Sequence, residues 1–141
     1  MSPSAYLRGR GHSILYTLNY LAHLEQLGVR VVNGLRAFGY YNAGQDCTAA
    51  CRISAGDKVY ERLVAGLASA ASGLKCNQPD DDENDIGPLI SARQRARVAS
   101  FVERANELNH VEIAAGGKAS AGKGFFYEPT VVAGALQSDE I

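Results

Sequence analysis

An α/β fold is predicted from three features of this chain. From Asn33 onward, apolar residues recur first at helical and then at strand spacing, in the order helix, strand, helix, helix, strand, strand. Glycine, proline and acid-rich stretches punctuate that order after residue 43, across 75–85 and across 116–124. The chain has 141 residues, 46% of them apolar and 21% charged, which suits one packed unit in which helices cover a sheet.

Residues 1–12 read as a frayed arm, broken by Pro3, Gly9 and Gly11. A helix is predicted over 13–27, with Ile14, Leu18 and Leu21 on one side and Gly28 ending it. Arg8 and Arg10 ahead of residues 14–22 loosely mimic a secretion signal. Thr17 and Asn19 interrupt the apolar run, however, and no small-residue cleavage site follows. Val29, Val31 and Val32 suit a short strand or the approach to the next element. Asn33 is placed as the N-cap of a helix that turns Leu35, Phe38 and Tyr41 inward. Gly44 stands where that helix gives way to an irregular turn. Residues 50–54 read as a buried strand. Asp57 is placed as the cap of a helix to about residue 74, with Val59, Leu63, Leu67, Ala70 and Leu74 on one face. Ser91 and Gln94 make a capping box for a helix to about residue 109 that buries Val98, Phe101, Val102, Ala105 and Leu108. Strands are expected over 111–115 and 125–133, with Pro129 at an edge or bend of the second.

The chemistry concentrates at Cys47. It follows a glycine on a turn beyond an aromatic helix, where a substrate can reach it. A thiolate is the reactive form, and backbone N–H groups at a helix end favour it. The structural alternative is that Cys47 is one more small buried hydrophobe.

Several other patterns point elsewhere and fail. Residues 80–85 are acidic, but an EF-hand loop counted from Asp80 puts Asp85 where it needs Gly and Ser91 where it needs Glu, so a solvated loop is expected. Gly117 to Lys123 fits most of a phosphate-binding loop; the next residue is Gly124 rather than Ser or Thr, and a strand follows instead of a helix. Gly9 and Gly11 have Ile14 in place of the third glycine of a dinucleotide fingerprint. Cys47 and Cys51 stand four apart, but His12, His23 and His110 are single and distant, so no zinc ligand set is visible. Cys51 is expected to pack behind the Cys47 loop and Cys76 to sit in a loop. The cysteine count of three, without paired spacing, argues against a disulfide framework and for a reducing, cytoplasmic setting. A net charge of −1 gives no electrostatic reason for nucleic acid as a partner. No run reaches the ~18 apolar residues of a membrane span.

Tyr40-Tyr41-Asn42-Ala43 followed by Gly44-Gln45-Asp46-Cys47-Thr48 resembles the active-site cysteine segment of the aldehyde dehydrogenase family, and residues 38–53 most resemble its aminobutyraldehyde dehydrogenases. Ile86-Gly87-Pro88-Leu89-Ile90, Gly116-Gly117-Lys118 and 124–131 match further family segments in the same order, so the resemblance covers residues 34–141. It implies that residues 33–141 are the central part of a catalytic domain with helices on a mostly parallel sheet, without the Rossmann-type NAD-binding domain. Residues 1–32 are an arm and helix unlike the family. Leu24-Glu25-Gln26-Leu27-Gly28 lies too near Cys47 and lacks the family's second Gly and Lys, so its general-base role is not carried onto Glu25.

The resemblance also implies a mechanism. The Cys47 thiolate attacks an aldehyde, 4-aminobutanal or similar, to give a thiohemiacetal. Hydride passes to NAD or NADP, and water hydrolyses the thioester left on Cys47. The Cys47 N–H is one oxyanion donor. Asn42, Gly44, Gln45, Asp46 and Thr48 shape the loop, and the Asp46 charge suits an amine-bearing aldehyde or is simply solvated. The oxyanion Asn, the general base and the cofactor site are expected outside this chain, with a nicotinamide-contacting segment placed after Ile141, so the chain alone is expected to be inactive. Two other readings stand beside it. One is a non-catalytic remnant that self-associates or binds another chain through exposed apolar surface. The other is nucleotide binding at the Gly122-Lys123 loop.

Overall fold

The computed structural model describes residues 31–78 and 80–141. The helix and signal-like run read within residues 1–30 lie outside the described residues, as do Gly9, His12 and His23. Helix α1 spans Val31–Tyr40, followed by a 3-10 turn over Tyr41–Gly44, helix α2 over Asp57–Ser72 and helix α3 over Ala92–Asn106. Strands β1, Glu112–Ala115, and β2, Val131–Ala133, close the order.

The helices follow their apolar faces. Leu35 of α1 is buried, and α1 packs against α2. Val32 Cγ2 comes within 3.0 Å of where a β-carbon on Gly66 would stand, so a residue without a side chain sets how closely the two helices meet. Leu67 and Ala71 turn α2 toward both strands, and α3 lies on β1 through Ala105. With Ile86, Ala115, Phe126 and Ala133 these make the core. Ser91 caps α3: its side chain accepts from the Gln94 N–H at 3.1 Å, as the capping box predicts.

Other expectations change. Val31, Val32 and Asn33 lie inside α1, so Asn33 is not its cap and the valines are not a strand. Phe38 and Tyr41 point outward, 68% and 66% exposed, because Leu35 already faces α2 and the backbone leaves helical geometry after Tyr40. Gly56 caps α2 and Asp57 is its first helical residue, where its charge complements the helix dipole. The helices end at Ser72 and Asn106, a few residues early, with the cap N–H groups of Gly73 and Glu107 closing tight turns.

The sheet departs most from expectation. β1 and β2 run antiparallel, with Glu112 opposite Ala133 and Ile113 opposite Val132, and a bulge before Ala115. The mostly parallel sheet is not found among the described residues, whose parallel pairing is a single bridge between Cys76 and Ile86. Residues 50–54 form no strand: the Ala50 N–H reaches back to the Phe38 carbonyl at 3.3 Å, and among the described residues no neighbouring strand offers a ladder. Of 125–133, only Val131–Ala133 pairs with β1, plus a bridge between Ala119 and Tyr127. The reason lies at Gly116 and Gly117, both with positive φ. A β-carbon on Gly116 would stand 2.2 Å from the Pro129 carbonyl oxygen, so the backbones cross there too tightly for a regular ladder. Thr130 Oγ1 fills the gap, accepting from the Gly117 N–H at 3.0 Å and donating to the Glu128 carbonyl at 2.8 Å.

Candidate active site

Cys47 sits on a turn that α1 leads into. After Tyr40 the chain takes two consecutive left-handed residues, Asn42 and Ala43, each at φ 52, and then Gly44 at φ 77. Glycine is at ease there; Asn tolerates it, and here its Nδ2 donates to the Gln45 carbonyl at 3.0 Å. Ala43 has no such compensation and carries strain of about 1–2 kcal/mol. The Gln45 N–H returns to the Asn42 carbonyl at 3.0 Å, which locks the reversal.

The next four residues form a second reversal, with the Ala49 N–H on the Asp46 carbonyl at 3.1 Å. Asp46 braces it from the side: one carboxylate oxygen accepts from both the backbone N–H and the hydroxyl of Thr48, each at 2.8 Å. Those two bonds, the backbone one first, hold the Asp46 carboxyl below its ordinary pKa. The charge is therefore committed within the loop.

The Cys47 side chain is exposed at the crest of this turn. Among the described residues its N–H has no hydrogen-bond acceptor, while its neighbour Thr48 is paired. A free thiol beside a free backbone donor, on a backbone pinned at both sides, can attack a carbonyl and hold the resulting oxyanion. Asn42, Ala43 and Gln45 line one wall of a groove of about 540 Å³, whose other wall is the 85–90 loop and Gln94. Cys47 itself is not part of that lining.

Two supports went unread in the sequence. The Tyr40 hydroxyl donates to the Thr130 carbonyl at 3.0 Å, tying the end of α1 to the approach of β2, and burial pushes its pKa up. Arg36 pairs with Asp85 at 3.0 Å, tying α1 to the acidic loop, and Asp85 also accepts from the Lys75 N–H. Both join residues far apart in the chain, so spacing carries no signal of them.

Cys51 is exposed rather than packed behind the loop, because the segment carrying it joins no sheet. It faces two grooves, of about 270 and 240 Å³, that flank residues 51–53 and share Thr130 and Val132. Cys76 is half-buried beside Ile86, and burial, then Asp85 and Glu128, raise its pKa. Residues 80–85 form a loop braced by Asn77, Asp81 and Asn84. Among the described residues no three His, Cys, Asp or Glu side chains gather as a metal site. Residues 121–124 form a bend that opens no helix, as expected of the Gly122-Lys123 turn.

Residues 27–141 match the aldehyde dehydrogenase family. The chain belongs to that family. The betaine aldehyde dehydrogenase of Bacillus subtilis (strain 168) is 36% identical over 109 residues, 74% of this chain and 22% of that protein. The mitochondrial aldehyde dehydrogenase of Leishmania tarentolae is 36% identical over 92 residues, 65% of this chain and 18% of that one. Among solved structures, lactaldehyde dehydrogenase from Escherichia coli superposes with a TM-score of 0.72 at 32% identity, covering 77% of this chain and 23% of the other. An NAD+ complex of aldehyde dehydrogenase from Bacillus cereus gives 0.68 at 34% identity, covering 72% and 21%. The chain thus spans about a fifth of the length of these relatives.

Proposed function

We propose that this chain carries the nucleophile segment of an NAD(P)-dependent aldehyde dehydrogenase, an oxidoreductase acting on aldehydes, with Cys47 as the attacking thiol. The observation that carries the reading is the exposed sulfur on a doubly pinned turn, next to a backbone N–H that has no acceptor among the described residues. Cys47 forms the bond to the aldehyde carbon, and its own N–H faces the oxygen as charge develops there. Asn42, Gly44, Gln45, Asp46 and Thr48 act by holding this geometry. NAD(P)+, the cofactor the family implies, would supply the hydride acceptor. The described strands are antiparallel, and a Rossmann-type site needs parallel strands feeding a helix N-terminus, so these residues do not fit the cofactor. We infer that its binding, the second oxyanion donor and the general base are not supplied by the described residues.

Within the family we favour an amine-bearing aldehyde such as 4-aminobutanal, on the resemblance of residues 38–53 to aminobutyraldehyde dehydrogenases, and a cytoplasmic setting, supported by three free thiols. No described helix is long and apolar enough to cross a membrane. The test is direct. The purified 141-residue chain is mixed with 4-aminobutanal and NAD+ while absorbance of the reduced nicotinamide is followed. No turnover is expected, together with labelling of Cys47 by a limiting alkylating agent ahead of Cys51 and Cys76. Reduction of NAD+ refutes the assignment of the cofactor site elsewhere, and slow labelling of Cys47 refutes its role.

A second reading is favoured by one observation. Phe38, Tyr41 and Ile90 are large, apolar and 66–87% exposed. Such surface suits association with a second copy or another chain, with or without catalysis.

A further inference from the structure

We propose that Cys47 and Cys51 together form a two-thiol oxidation site, in which Cys51 captures oxidised Cys47 as an intramolecular disulfide. This deepens the reading of Cys47 as the nucleophile and rests on it. Both thiols are exposed, whereas Cys76 is partly covered and engaged in a bridge with Ile86.

The backbone between the pair folds back twice. The Ala49 N–H on the Asp46 carbonyl puts Cys47 and Thr48 in the middle of one reversal. The Cys51 N–H on the Ala49 carbonyl, at 2.8 Å, makes a three-residue turn centred on Ala50. Two successive turns shorten a path that spans about 14 Å when extended, toward the roughly 4.4–6.8 Å between α-carbons that a disulfide needs. Residues 47–51 belong to no helix or strand, so closing the bond breaks no ladder.

The oxidant is a peroxide. The Cys47 thiolate attacks one peroxide oxygen, the O–O bond breaks, and Cys47 becomes a sulfenic acid while the other oxygen leaves as water. The Cys51 thiolate then attacks the Cys47 sulfur; the S–S bond forms, the S–O bond breaks, and hydroxide leaves and takes up a proton. In sum, two thiols and one peroxide give one disulfide and two waters, the sulfurs oxidised and the peroxide reduced. The bond masks the nucleophile and protects it from irreversible oxidation, and a small thiol restores it.

The test uses the full chain. Arg36 and Arg52 bracket a tryptic peptide, residues 37–52, that holds both cysteines and no other basic residue. The reduced chain is first labelled with limiting iodoacetamide; Cys47 is expected to react ahead of Cys51 and Cys76. A second sample receives stoichiometric hydrogen peroxide, then excess iodoacetamide, and the peptides are weighed. The 37–52 peptide is expected to lack two hydrogens and carry no label while Cys76 is labelled, and dithiothreitol is expected to restore labelling. In Cys51→Ser, peroxide is expected to drive Cys47 to sulfinic acid that dithiothreitol does not reverse. A Cys47–Cys76 bond, a disulfide between two chains, or Cys51 still labelled after peroxide overturns the pairing and leaves the nucleophile standing if Cys47 was labelled first. Slow labelling of Cys47 in the reduced chain overturns the nucleophile and this proposal together.

Discussion

At the scale of single residues, Asp46 shows how a charge next to the proposed nucleophile can serve shape. Its carboxylate is taken up by the Thr48 N–H and hydroxyl, so its nearness to Cys47 translates into a fixed crest for the turn. The sign of its pH dependence follows from its depressed folded pKa. The stabilisation is full above the ordinary aspartate value, about 3.9, and is lost as pH falls through the lower folded value. Asp46→Ala is therefore expected to be less stable than the parent at neutral pH. The gap should close in strong acid, as read by urea midpoints measured across that range. Asp139 behaves alike, held low by His110 at 2.8 Å and then by the Leu136 N–H. Ala43 offers the opposite case. Ala43→Gly removes left-handed strain and is expected to leave stability unchanged or raise it by up to about 1 kcal/mol, with Cys47 alkylation as fast as before. A drop in either the urea midpoint or the alkylation rate would count against strain at that position.

At the scale of elements, the site depends on contacts that join α1 to the distant strand region. Tyr40→Phe deletes the hydroxyl that reaches the Thr130 carbonyl and is expected to cost about 1 kcal/mol. It should also speed Cys47 alkylation less than unfolding does, since the turn keeps its own bonds. Gly116→Ala sets a methyl against the Pro129 carbonyl in a left-handed conformation. A loss of at least about 2 kcal/mol is expected, visible as an earlier urea midpoint. Helix positions were legible in the sequence because each helix carries its own apolar period, and α3 its own cap in Ser91 with Gln94. Strands were less legible. Residues 50–54 have strand composition, yet a strand is defined by a partner, and none of the described residues supplies one. Phe38 and Tyr41 were placed inward on helical spacing alone, which cannot say which of several apolar residues a neighbouring helix will meet.

For the molecule as a whole, the exposed aromatics carry the prediction. If Phe38 and Tyr41 mark an interface, light scattering should show a mass above the monomer that rises with concentration. Phe38→Ser with Tyr41→Ser should lower it toward one chain. A monomer at every concentration removes the association reading and leaves the thiol assignment untouched.

The sequence by itself determined the family, the α1–turn–cysteine order and the solvated character of residues 80–85. These depend on local chemistry: residue types at fixed spacing, glycine and asparagine where the backbone turns left-handed, acidic residues where a loop stays exposed. Only the tertiary structure decided that the described strands pair antiparallel, that Cys51 stays in reach of solvent, that Tyr40 and Arg36 brace the site, and that Asp46 spends its charge inside the loop. Each of those depends on which group stands opposite another in space, and spacing along a chain does not encode that.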